Sequence, residues 1–271
     1  MMPRANFHTH STYCDGKNTL EEMVRSAVEK GMTAIGFSGH AYTPHDGSFC
    51  MSQEGTEQYQ AEIAALQEKY KDKIDIYCGL ELDYFSVADT KAFDYTIGSV
   101  HYVLKDGIYH DVDLSEERLI KSVDTCWGGD IISFAEDYFK LVAEIVKKTD
   151  ADIIGHFDLA SKFNEGGKLF DENDPRYVAA WQAALKELIP TGKLFEINTG
   201  AISRGYRTSP YPAKPILKEI AASGGKVMIT SDSHSKDTLD FRFDEAIEYA
   251  KSCGVTEFYT LAGRPIEQKK I

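Results

Sequence analysis

The stretch Ala34-Ile35-Gly36-Phe37-Ser38-Gly39-His40 is a short apolar run that ends on an imidazole, and the same arrangement recurs along the chain. Residues 95–100 lead to His101 and residues 152–155 to His156, while Glu81 stands near the end of residues 74–82. Residues 227–231 are followed by Asp232 and His234, and residues 6–8 bring His8 and His10. Short apolar or β-branched runs of this kind predict buried strands, and residues 194–198 supply a seventh. Helical periodicity fills the gaps at 19–30, 56–70, 131–148, 176–188, 213–222 and 239–252. The first of these helices is introduced by Asn18 with Glu21 three residues on. Alternating strands and helices predict an α/β fold with parallel strands and right-handed crossovers, either a closed barrel or an open doubly wound sheet. The polar residues decide for the barrel, because its one end collects the carboxyl ends of all its strands.

Barrels of this kind routinely run to the 271 residues present here, so residues 1–271 are expected to form one domain. With 42% hydrophobic and 11% aromatic residues the chain can fill a substantial core. Residues 1–10 contain no basic segment followed by a long apolar run. No later stretch approaches the roughly 20 apolar residues that cross a bilayer. A cytoplasmic protein without a membrane partner is expected. The five cysteines are scattered and unpaired in spacing, which predicts reduced thiols, with Cys14 in a packing role. A formal charge of −13 opposes attraction to nucleic acid, whose binding depends on lysine and arginine contacts to phosphates. Nothing in the chain separates a monomer from an oligomer. The polar loops at 106–115 and 203–212 are expected to shape a pocket.

Six of the eight histidines lie at or just beyond a predicted strand end. Imidazole and carboxylate together suit zinc, manganese or iron. Residues two apart on a strand point the same way, so His8 with His10, and Asp232 with His234, can each face one metal cluster. Eight or nine such donors imply two or three ions, with Glu81 placed to bridge a pair. His45 and His110 fall in loops. A surface position is expected for both, with His110 near enough to the fourth strand to line a pocket.

These motifs resemble those of the polymerase-and-histidinol-phosphatase superfamily, in particular its histidinol-phosphate phosphatases, and the resemblance runs from Phe7 to beyond His234. It implies a distorted seven-stranded, TIM-like barrel holding three divalent ions. Carried over by residue, His8, His10, Glu81 and Asp232 would hold the first, Glu81, His101 and His156 the second, and Asp15, His40 and His234 the third. Asp15 departs from relatives that place histidine there, which makes the third site more oxygen-rich; taken alone, Asp15 also suits a turn before Gly16.

The resemblance implies hydrolysis of a small phosphomonoester, with a hydroxide bridging the ions at Glu81 attacking phosphorus. Arginine clamps phosphate well, and AISRGYRTSPYP places Arg204 and Arg207 after the sixth strand, with Lys162 beyond His156 as a third cation. Each also suits an ordinary polar loop. Asp232 or an ion-bound water is expected to protonate the leaving alkoxide. Asp83, Tyr84, Tyr109, Asp111, Asp113, Glu117 and Phe163 are available to meet an amine and an imidazole. The run NTGAISRGYRTSPYPAKPIL resembles histidinol phosphatases and points to L-histidinol phosphate as substrate. Alternatives are a phosphatase for phosphotyrosine protein or nucleotide, hydrolysis of a C–N bond, and a non-catalytic metal-binding barrel.

Overall fold

The computed structural model describes residues 5–263 and 267–271. Four strands open the chain order: β1 (Ala5–Asn6), β2 (Ala34–Phe37), β3 (Asp75–Asp83) and β4 (Tyr95–Ser99). A hairpin of β5 (Tyr102–Lys105) and β6 (Ile108–Asp111) follows, then β7 (Ile153–Ile154), β8 (Leu194–Asn198) and β9 (Lys226–Thr230). The parallel order is β1-β2-β3-β4-β7-β8-β9. Beyond the last rungs, Thr9 bridges Ser233, with His10 N donating to Ser233 O (2.8 Å) and Ser233 N to His8 O (3.0 Å). That bridge closes the ring, so the fold is the distorted seven-stranded barrel and not the open sheet.

The alternation of side chains along each strand divides the barrel's interior into levels. Ala34, Tyr77, Tyr95, Leu194 and Met228 belong to one buried apolar cluster with Phe7 and Ile153. Stepping two residues at a time from these positions reaches His40 from β2, Glu81 and Asp83 on β3, His101 after β4, Glu196 and Asn198 on β8, and Asp232 after β9. The apolar cluster fills one level of the barrel, and the rows then turn polar toward the carboxyl ends. Tyr95 dominates the fill: its hydroxyl donates to Phe7 O at 2.7 Å. A Cβ added at Gly79 would lie 2.2 Å from the Tyr95 ring, so glycine is what lets β3 pass.

Helices α1 (Leu20–Glu29) and α2 (Gln53–Tyr70) bury one face against this wall. The capping box of α1 is one residue later than Asn18 and Glu21. Thr19 accepts from Glu22 N (3.3 Å), and Glu22 accepts from Thr19 N (2.9 Å). Asn18 is instead occupied by Lys236 N, which donates to its Oδ1 at 3.0 Å. Several elements lie outside the expected pattern. The expected loop at 106–115 is half strand, because Asp106 and Gly107, at φ 51° and 78°, form the two-residue turn of the β5–β6 hairpin. Helix α3 (Glu116–Cys126) follows, capped by Ser115 Oγ, which accepts from Arg118 N at 3.2 Å. Then come α4 (Ile131–Thr149), α5 (Pro175–Leu188), the short α6 (Gly200–Ser203), α7 (Lys214–Ala222) and α8 (Phe243–Ser252). The last begins after residue 239 because Arg242 is left-handed at φ 53°. A terminal hairpin, β10 (Tyr259–Ala262) with β11 (Glu267–Lys270), brings Leu261 into the cluster around Tyr95. Among the described residues no helix is long and apolar enough to cross a membrane.

Gly79→Ala is expected to destabilise the fold by about 1–3 kcal/mol or more, since the methyl group must displace the Tyr95 ring. A urea unfolding midpoint equal to that of the unaltered protein would contradict this packing account.

Candidate metal centre

The polar rows meet around one carboxylate. Glu81 is 1% exposed. Its Oε2 lies 3.1 Å from His8 Nε2, 3.5 Å from His10 Nε2 and 3.1 Å from His40 Nδ1. Its Oε1 lies 3.1 Å from His156 Nε2 and 3.4 Å from His101 Nε2, and accepts from Ser99 Oγ at 2.7 Å. On the other side of the histidine pair, Asp232 Oδ1 is 3.2 Å from His10 Nε2 and 3.6 Å from His8 Nε2. Asp232 adopts φ 47°, a left-handed conformation that aspartate tolerates better than most residues.

A third grouping stands nearer solvent. Asp15 Oδ2 is 3.1 Å from His234 Nε2, and its Oδ1 is 3.7 Å from both His10 Nδ1 and His40 Nε2. The rings of His10 and His234 stack at 4.1 Å. Three overlapping sets therefore present donor atoms close enough to share a cation: His8, His10 and Asp232; His40, Glu81 and His101; and Asp15 with His10, His40 and His234. His40 belongs geometrically to two of them, one ring nitrogen toward Glu81 and the other toward Asp15. The donor set fits divalent metal. His8 Nε2, His10 Nε2 and Glu81 Oε2 are buried and crowded together, yet lack any hydrogen-bonding partner among the described residues. A shared cation satisfies lone pairs that cannot satisfy one another.

The electrostatics follow. Burial opposes ionisation of Glu81 and Asp232, but the surrounding histidines, joined by Arg204 for Asp232, hold both carboxyls well below the usual range. Burial lowers His10 to about 3, helped by His234 and His40. Burial acts the same way on His8, but Glu196, Glu81 and Asp232 overcome it and raise the imidazole well above its ordinary value. In His101 burial is overcome by Asp83 and Glu81, which raise it to about 9.

Two buried carboxylates support the histidines, Glu196 at a ring and Asp83 at a backbone N–H. Glu196, fully buried on β8, holds His8 Nδ1 at 2.5 Å and accepts from His156 N (2.7 Å), Asn198 Nδ2 (3.0 Å) and Thr230 Oγ1 (2.5 Å). Asp83 accepts from His101 N at 2.7 Å. Glu196 was not among the residues singled out from sequence. Its signal was a charged residue in the middle of the apolar run 194–198, two positions before Asn198.

Above the cluster opens a basin of about 370 Å³. Arg204 and Lys162 line it. Arg204 donates to Asp232 Oδ2 (2.8 Å) and Asp232 O (3.0 Å), and Lys162 Nζ donates to Asp113 Oδ2 (2.9 Å). The same lining includes Asp46, Asp111 and Asp113 with Phe49 and Tyr102. Arg207 does not line this basin. Its side chain is buried and its Nη1 donates to Ser161 O at 2.7 Å. His110 is not a loop residue at the basin either: it lies buried on β6, its ring 5.0 Å from that of Trp127. His45, expected at the surface, is half-buried and stacks on Tyr109 at 3.6 Å. Of the suggested amine-binding residues, only Asp111 and Asp113 line the basin. Cys14, Cys50, Cys126 and Cys253 form no disulfide. Cys14 Sγ lies 3.5 Å from His10 Nδ1, and burial pushes its thiol up to about 12, which leaves it protonated and unreactive at neutral pH.

A closed parallel barrel with histidines and carboxylates gathered at its carboxyl end defines a metal-dependent barrel enzyme. The sequence matches the PHP domain family over residues 6–200, and the chain belongs to that family. A Schizosaccharomyces pombe protein named "Probable histidinol-phosphatase" is 27% identical over 95% of this chain and 89% of its own length. The Bacillus subtilis "Histidinol-phosphatase" is 24% identical over 91% of this chain and 99% of its own. The crystal structure of histidinol phosphate phosphatase from Lactococcus lactis, complexed with zinc, L-histidinol and phosphate, superposes with a TM-score of 0.70. It is 22% identical and covers 98% of this chain and 99% of that one.

Glu196→Gln is expected to weaken zinc binding about 10- to 100-fold, because His8 loses the partner that orients it. Competition with a chromophoric chelator reads this directly, and unchanged affinity would deny Glu196 its supporting role. The raised values of His8 and His101 set a pH dependence. His101, raised to about 9, holds a proton at pH 7 in metal-free protein and must release it to bind a cation, and His8 is shifted in the same direction, so affinity should rise with pH toward about 9. The His101 shift also stabilises the metal-free fold below its ordinary value of 6.5, and that contribution disappears as pH rises through about 9. Zinc titration in weak buffer with a pH indicator should register proton release; none would contradict the assignment.

Proposed function

We propose that this chain is a metal-dependent phosphomonoesterase that hydrolyses L-histidinol phosphate to L-histidinol and phosphate, and that residues 1–271 act as one catalytic domain. The observation that carries the reading is the shared basin: donor side chains for several cations lie beneath it, and Lys162 and Arg204 stand at its wall. Membership of the PHP domain family and the names of the relatives support the reaction and the substrate.

The ligand assignment is His8, His10, Glu81 and Asp232 for one ion, Glu81, His101 and His156 for a second, and Asp15, His40 and His234 for a third. Zinc is the first choice, as in the Lactococcus lactis structure, and the oxygen-rich site at Asp15 also suits manganese or iron. When bound, such ions supply Lewis acidity toward phosphoryl oxygens and make a water nucleophilic near neutral pH.

The remaining work falls to the chain. Arg204 and Lys162 offer N–H donors toward the phosphoryl oxygens, whose negative charge spreads in the transition state. In the reaction the bond from phosphorus to the alcohol oxygen breaks as the bond from water oxygen to phosphorus forms. One water proton ends on the departing alkoxide. We assign Asp232, which lines the basin, or a water there to deliver that proton to the leaving oxygen. The acidic and aromatic wall of Asp46, Asp111, Asp113, Phe49 and Tyr102 suits an ammonium and an imidazole. The same carboxylates disfavour nucleotides and acidic phosphopeptides.

Phosphate release should be measured from histidinol phosphate beside phosphotyrosine, a nucleoside monophosphate and a phosphodiester, using zinc-reconstituted protein. Histidinol phosphate is expected to be strongly preferred, and His8→Ala to lower kcat/KM by more than about 100-fold. Preference for the diester, or full activity after chelation, would overturn the reading.

A further inference from the structure

We infer that Arg207 is a positioning residue, whose buried guanidinium buckles the loop after β7 to the loop after β8 so that Lys162 and Arg204 face the phosphate together. The inference rests on the phosphatase reading above. The two loops carry one basin cation each, Lys162 on the first and Arg204 on the second. The second loop is returned to β8 where Asn198 pairs with Tyr211, but the two loops do not pair with each other in the ladder, so their relative register needs another source.

Arg207 provides it. Its side chain is only 6% exposed although it belongs to a polar loop. Nη1 donates to Ser161 O (2.7 Å) and Ser161 Oγ (2.6 Å), the residue immediately before Lys162. Nε makes no hydrogen bond among the described residues but lies 3.6 Å from Glu165 Oε2, and Nη1 lies 3.9 Å from Glu172 Oε1, so two carboxylates of the first loop stand at ion-pair distance. Two further ties lace the same loops. Thr208 Oγ1 donates to Glu165 Oε1 at 2.5 Å, and Ala213 N donates to Asp158 Oδ2 at 3.0 Å.

The ties bear on the basin through immediate neighbours. Tyr206 precedes Arg207, and the ring of Tyr206 lies under Lys162 Nζ at 4.7 Å, while Asp113 takes the same ammonium on its other side. Lys162 is therefore held by a residue next to Arg207 and follows a residue bonded to Arg207. A lysine on a flexible stem gains a defined position only if its surroundings supply one. Burying a guanidinium is costly unless it is paired, and a planar fork can serve two acceptors at once where an ammonium meets them only as a point charge. The site therefore calls for arginine at this position, although the charge never reaches the substrate.

The experiment uses zinc-reconstituted full chain and reads three quantities: metal content, the Kd for inorganic phosphate by titration calorimetry, and kcat/KM for histidinol phosphate. Arg207→Ala is expected to retain its metals but to weaken phosphate binding and kcat/KM by about 10- to 100-fold, mostly through KM. Combined with Lys162→Ala it should add less than about twofold, because both changes remove the same contact. Arg207→Lys should recover part of the loss. Should Arg207→Ala not fold, Glu165→Ala, at a half-buried position, removes the outer tie and should weaken phosphate binding in the same direction by a few-fold. Unchanged phosphate affinity in the folded variant, or fully multiplicative losses with Lys162→Ala, would overturn the inference. An unaltered protein that hydrolyses no phosphomonoester would overturn the phosphatase reading instead.

Discussion

A single buried carboxylate, Glu81, has five imidazoles within 3.5 Å, and the rest of the structure is arranged to make that tolerable. A carboxylate without water is costly unless positive charge and hydrogen bonds replace the water. Here the replacement comes from different strands and the segments that leave them: His8 and His10 after β1, His40 after β2, His101 after β4, His156 after β7. No single stretch of backbone offers five side chains within reach of one point. Closure of the barrel does, because it turns a linear succession of strand ends into a ring.

The apolar interior and the metal centre are consecutive levels of the same rows. Tyr95 fills the barrel and pins Phe7 by its hydroxyl, one residue before His8. Glu196 begins the polar level on β8 and binds the far side of the His8 ring. The imidazole is thereby fixed from behind by a carboxylate and from below by packed aromatics, which leaves Nε2 directed to Glu81 and Asp232. A histidine backed by a carboxylate in this way has both its ring orientation and its basicity set. The basin adds polarity in two signs: cations on the loops after β7 and β8, carboxylates on the wall near β6. A zwitterionic small molecule with an anionic end and a cationic end matches that division better than a polyanion does, in keeping with the chain's net charge of −13.

Much was legible in the chain itself. The seven strands and six of the helices follow from periodicities of two and 3.6, which are local properties. The ligand-type residues were legible because imidazole or carboxylate at the end of an apolar run is conspicuous. The β5–β6 hairpin was missed, because residues 106–115 read as a polar loop although Asp106-Gly107 is a hairpin-turn pair. Helix α3 hid because its buried face is only Leu119 and Val123.

Sequence by itself thus determined which residues stand at strand ends and that strands and helices alternate, since both depend on neighbours a few positions away. Only the tertiary structure decided that Thr9 meets Ser233 to close the ring, that Glu196 backs His8, and that His40 faces both Glu81 and Asp15. It also decided that Arg204 faces the basin while Arg207, three residues on in the same polar loop, turns inward to Ser161. The physical reason is that a side chain's charge and shape are written in its own residue, whereas its direction is set by acceptors as far away in the chain as Ser161 is from Arg207.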